Sequence, residues 1–170
     1  MRAVGPGLRW VLVVALGLFA VLMANSVYLY AVTILEWLNG VSYQNYFYQL
    51  MFLAHLGLGL VLVVPFVWFT VVHLRNTWRR TNRRAIFAGW LLFILSAVLL
   101  LSGVVLMRVG GIELKDPTAR AITYWLHVLA TVFTIWLYVL HRVAGTRIRW
   151  RVGLAWSGVA LALGVVMFVM

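Results

Sequence analysis

Five apolar stretches divide the chain, near residues 9–36, 46–74, 85–107, 120–142 and 150–170. Each reaches the ~20 residues that an α-helix needs to cross about 30 Å of hydrocarbon. Of the 170 residues, 65% are hydrophobic and 10% charged, more apolar surface than a water-soluble domain of this size can hide. The sequence therefore predicts an all-α integral membrane protein with five transmembrane helices, built as a single domain over residues 1–170. The first stretch begins like a signal peptide, with Arg2, Arg9, an apolar run and Ala24-Asn25-Ser26. Its apolar pattern continues to Trp37, longer than a signal core, and it is read as a retained first helix.

The basic residues orient the helices. Arg2 and Arg9 precede the first stretch; Arg75, Arg79, Arg80, Arg83 and Arg84 follow the second; Arg142, Arg147, Arg149 and Arg151 follow the fourth. The opposite side carries only Arg108, Lys115 and Arg120. The positive-inside rule then puts the N-terminus in the cytoplasm and the C-terminus outside, as expected for a multi-pass protein of a prokaryotic cytoplasmic membrane. It also accounts for the net charge of +11 without nucleic acid, since the bases sit in short runs between apolar spans. Tyr43, Tyr46, Phe47 and Tyr48 read as an outer aromatic belt, and Trp78 and Trp150 as inner counterparts. Gly110 and Gly111 interrupt the third stretch, Asp116-Pro117-Thr118 reads as a turn or helix start, and Pro65 is expected to kink the second helix.

The chain has four histidines, and all lie on two of these stretches. His55 and His73 are 18 residues apart on the second, and His127 and His141 are 14 apart on the fourth. Both spacings are close to whole numbers of helical turns, so each helix carries two imidazoles on one face at two depths. The two helices run in the same direction through the membrane, which predicts an outer pair, His55 with His127, and an inner pair, His73 with His141. The separations are ~27 Å along the second helix and ~21 Å along the fourth, a mismatch of about one turn.

Paired imidazoles at two depths suit two bis-histidine haems. Imidazole is a strong axial ligand, neutral in its ligating form, and a six-coordinate iron favours electron transfer over oxygen chemistry. The absence of cysteine excludes disulfides, iron–sulfur clusters, cysteine-ligated zinc and c-type haem attachment. The cofactors would thus be two non-covalent haems b, with His55, His73, His127 and His141 as the iron ligands. A flat macrocycle between helices needs small neighbours. Gly89 and Gly103 on the third helix, 14 residues apart, are candidates, as are Gly57 and Gly59, Thr131 and Thr134, and Gly17 and Ala31. Haem propionates need cations, for which Arg108 and Arg120 are outer candidates and Arg79 and Arg142 inner ones. Glu36, Glu113 and Asp116 are the only acids. A solvated loop carboxylate is the ordinary reading of each, with proton acceptance at one of them as the alternative.

These residues resemble the cytochrome b family, in particular the four-helix haem-binding core of cytochrome b in the bc and b6f complexes. The likeness rests on Leu126-His127 through Leu140-His141-Arg142, with the family's 14-residue spacing in its fourth helix, and on the Gly89–Gly103 pair of the third. It covers about residues 9–145. The 18-residue spacing in the second helix departs from the family's 14, and the Pro-Glu-Trp-Tyr motif of its quinol-oxidising site is absent. In size and role the chain is similar to the small cytochrome b subunits of respiratory oxidoreductases such as formate dehydrogenase or nitrate reductase. The resemblance implies helices 1–4 as a haem-binding bundle that carries electrons between a quinone/quinol pool and a periplasmic-side partner, such as a multihaem cytochrome c or an iron–sulfur subunit. It implies an electron-transfer subunit without catalytic residues of its own. Two other readings stay open: a His-lined path for protons or transition metal ions, and a purely structural membrane anchor.

Overall fold

The computed structural model describes residues 4–78, 81–107 and 113–144, with isolated positions 154, 155, 158, 162 and 166. Four helices account for nearly all of the continuous part: α1 (Pro6–Asn39), α2 (Tyr46–Thr77), α3 (Arg83–Leu106) and α4 (Pro117–Val143). All four are long and apolar enough to cross a membrane. The expected fifth helix is not matched. Its segment, 150–170, falls almost wholly outside the described residues, so the architecture is an all-α array of four candidate spans.

Local chemistry sets the helix ends. Pro6 opens α1 and Pro117 opens α4, each at a position where the missing N–H is no loss. The Asp116 carboxylate accepts from the Ala119 N–H at 2.7 Å, so Asp116-Pro117 is a capped helix start. Asn82 caps α3 in the same way through Ala85 N, at 3.2 Å. The helix α1 ends in Gly40, whose φ of +65° lets its N–H return to the Glu36 carbonyl. The helix α3 stops at Leu106, ahead of the two glycines expected to end it, which lie outside the described residues. The helix α2 runs unbroken through Pro65.

Few apolar side chains are buried. Trp68 and Trp136, both deep within their spans, are 64% and 57% exposed. A soluble fold would not present such residues all round, whereas hydrocarbon is their ordinary solvent. The helix α4 makes the inversion plain. Arg120, Thr123, His127, Thr131, Thr134, Tyr138 and His141 recur at steps of three and four and form one polar stripe. Every member of the stripe is buried or half-buried, while most of the apolar remainder is exposed.

The chain divides into two compact units. In the first, α1 packs on the portion of α2 up to Val72. Asn25, 1% exposed, donates to the Met51 carbonyl at 2.9 Å, and Tyr28 meets Phe47 edge-on at 5.3 Å. The α1–α2 loop is gathered by Glu36, which accepts from Ser42 Oγ, Tyr43 N and Gln44 Nε2. In the second unit, which begins at His73, α3 and α4 pack together along their length. Asn82 Nδ2 donates to the Ala144 carbonyl at 3.0 Å and ties the start of α3 to the end of α4.

Candidate haem-ligating histidine sites

Within the α3–α4 unit both histidines of α4 lodge over glycines of α3. A Cβ added to Gly89 would lie 3.1 Å from Cε1 and 3.3 Å from Nδ1 of His141. One added to Gly103 would lie 3.0 and 3.5 Å from the same atoms of His127. Such approaches are closer than ordinary carbon contacts, so a side chain at either position would displace the ring. Each histidine also bonds the carbonyl one turn before its glycine. His141 Nδ1 is 3.0 Å from Ala85 O, and His127 Nδ1 is 3.0 Å from Leu99 O. Ala85, Gly89 and His141 thus correspond to Leu99, Gly103 and His127 by a shift of 14 residues along both helices. Because the helices are antiparallel, one notch is used twice, at opposite ends of the seam.

The middle of that seam is polar but small. Ser96 lies midway between the two glycines and Thr134 midway between the two histidines, and both are buried. The Thr134 hydroxyl is enclosed without a hydrogen-bond partner. Thr131 instead returns its hydroxyl to the His127 carbonyl at 3.0 Å.

The carbonyl contacts decide the chemistry of the imidazoles. A carbonyl oxygen only accepts, so Nδ1 of His127 and of His141 must carry the proton. The lone pair is then on Nε2, at the far side of the ring. In metal sites the ligating imidazole is held in just this way, with its other nitrogen tied to a carbonyl or carboxylate. His55, in the other unit, follows a looser version. Its Nδ1 is 3.5 Å from Ser26 Oγ, whose own proton goes to the Leu22 carbonyl at 2.8 Å.

His73 and His141 come together. Their ring centroids are 6.2 Å apart and their planes lie at 81°. Two neutral imidazoles this close are a donor pair of the kind that can hold a haem iron. Among the described residues no group of three or more His, Cys, Asp or Glu gathers to hold a bare metal ion.

The remaining sequence candidates divide. Arg142 is exposed beside His141 at the end of α4, and Arg120 is half-buried in the first turn of α4. Arg79 and Arg108 lie outside the described residues, as does Trp150. Gly57 and Gly59 face open space, unlike Gly89 and Gly103. Both carboxylate oxygens of Glu36 are engaged by the loop it gathers, which favours the structural reading of that acid. Sequence reasoning missed Ser26, Asn25 and Ser102, each of which touches a histidine or the turn next to one. The available signal was polarity inside an apolar span: Ser96 and Ser102 are the only uncharged polar residues of α3. Comparison with protein-family models, curated proteins and solved structures yields no match to this chain.

Proposed function

We propose that this chain is a dihaem b-type membrane subunit that carries electrons across the bilayer between a quinone/quinol pool and a redox partner on the periplasmic side. The observation that carries the reading is the inner pair. His141 sits over Gly89, is fixed by the Ala85 carbonyl, and has its ring 6.2 Å from that of His73. Tautomer, backing and spacing together support axial ligation; the carbonyl bond alone would also serve a histidine that merely packs, and the nearness of the two rings is what that plain packing does not require. The second notch, His127 over Gly103, supplies the same tautomer for an outer haem, with His55 as its proposed partner.

When bound, each haem would supply a one-electron couple that the side chains themselves lack. The chain's own residues would do the rest. The four imidazoles would hold the two irons. The glycines of α3 let the α4 rings approach its backbone, and the apolar spans keep water away. Arg142 and Arg79 are proposed partners for inner propionates, and Arg120 and Arg108 for outer ones, by bidentate pairing with carboxylate. The subunit would sit in a prokaryotic cytoplasmic membrane and deliver electrons to, or take them from, a multihaem cytochrome c or iron–sulfur subunit.

A histidine path for metal ions is the second reading. It needs more ligands per site than the described residues gather. A reduced-minus-oxidised spectrum with a haem-to-protein ratio tests the proposal on the purified protein. Two haems per chain are expected. A colourless, folded preparation would overturn it. Double variants test the pairing: His73→Ala with His141→Ala should leave one haem, whereas His73→Ala with His127→Ala should leave none.

A further inference from the structure

The two notches of the α3–α4 seam share a glycine, a histidine and a backbone carbonyl one turn before the glycine, but differ in the polarity of the residue next to that glycine. The residue before Gly103 is Ser102, and its equivalent before Gly89 is Ala88. Ser102 is 5% exposed, and its Oγ lies 3.0 Å from Nδ1 of His127. The same hydroxyl lies 2.9 Å from the Leu99 carbonyl, the oxygen that His127 also approaches at 3.0 Å. The three groups have one consistent proton assignment. Leu99 O can only accept, so the Ser102 hydroxyl donates to it and the His127 Nδ1–H must be the ring's protonated nitrogen. The Ser102 oxygen then offers a lone pair to that N–H, and His127 shares one proton between two acceptors. At the other notch Ala88 has no hydroxyl, and Ala85 O takes the His141 proton at 3.0 Å.

We propose that Ser102 is a positioning residue that makes His127 a more electron-rich ligand than His141, so that the two haem sites differ in reduction potential although each imidazole is held by a backbone carbonyl in the same way. Drawing the Nδ1 proton outward gives the ring anionic character and strengthens donation from Nε2. Stronger donation stabilises the ferric state, and hydrogen bonding around the ligands is one of the protein's levers on haem potential. The inference rests on the proposed haem ligation for its effect on potential, but not for its effect on the imidazole.

Two measurements therefore separate the two ideas. In haem-free protein with nitrogen-15-labelled histidine, Ser102→Ala should shift the His127 Nδ1 resonance and leave that of His141 in place. In the haem-loaded protein the same variant should raise the midpoint potential of the haem that His127→Ala removes, with the other midpoint unmoved. Ser102→Thr should restore the wild-type value. Ala88→Ser, whose hydroxyl would reach the Ala85 carbonyl as Ser102 reaches Leu99, should lower the midpoint of the haem that His141→Ala removes. An unchanged His127 resonance in Ser102→Ala overturns the inference, as do two midpoints that move together or not at all. A protein that takes up no haem overturns the proposed ligation, and the nitrogen resonance still decides the role of Ser102.

Discussion

Placing an alanine at Gly89 separates stability from site geometry. In the interior of a helix, Gly→Ala gains about 1 kcal/mol from backbone entropy. At Gly89 the new methyl group would lie 3.1 Å from Cε1 and 3.3 Å from Nδ1 of His141, so the ring must retreat by a few tenths of an ångström. That retreat strains the 3.0 Å bond from Nδ1 to Ala85 O, a contact of a kind whose loss costs roughly 0.5–1.5 kcal/mol. The two effects are similar in size and opposite in sign, so the net change in thermal stability should be close to zero. Gly57→Ala is the control. A Cβ there meets nothing within 4 Å, and the residue lies about 200° around α2 from His55, so the full gain should appear as a higher Tm in detergent. The loaded protein supplies the second readout. Gly89→Ala should broaden or shift the low-spin signal of one haem, and Gly103→Ala should do the same to the other, while Gly57→Ala leaves both alone. If Gly89→Ala matched Gly57→Ala in stability and left both signals intact, the notch would play no part in holding His141.

Other consequences follow from the caps and the buried amide. Asn82→Ala removes both the α3 cap and the bond to Ala144, and should lower stability by about 1–3 kcal/mol, read as a drop in Tm. Asp116→Ala should cost about 0.5–2 kcal/mol and fray the first turn of α4, seen as faster amide exchange near Ala119. Asn25→Leu removes a donor together with an Oδ1 that is buried without a partner, and should leave Tm within about 1 kcal/mol of wild type. Asn25→Asp, which would put a charge at a 1% exposed position, should destabilise strongly. Glu36→Ala should loosen residues 40–45 without altering either haem signal, because the carboxylate holds only the loop.

The four spans were legible because hydropathy and length alone specify a helix in lipid. The observed ends extend the expected ones by no more than about three residues, through caps at Asp116 and Gly40 that local sequence encodes. The histidine faces of α4 and the glycine pair of α3 were legible from spacing. Their pairing as notches was not, because the partners of the imidazoles are the carbonyls of Ala85 and Leu99. Every residue has a carbonyl, so no side-chain pattern marks which one a histidine will meet. Ser102 was hidden for a related reason, since a serine in a membrane helix usually satisfies itself on its own backbone, and this one does so as well. Gly57 and Gly59, named for their place just below His55, meet nothing within 4 Å.

The doubled notch also has a mechanical consequence. One ring seated over one glycine would locate two helices at a point and leave them free to swivel about it. Two seats, ~21 Å apart along the seam, act as a pair of dowels. They fix the sliding of α3 against α4 and their crossing together, because a slip of one turn would unseat both rings at once. Inserting or deleting a single residue between Gly89 and Gly103, or between His127 and His141, would turn one seat about 100° away from its partner. The seam should thus tolerate exchange of its lipid-facing residues far more readily than any change in its length.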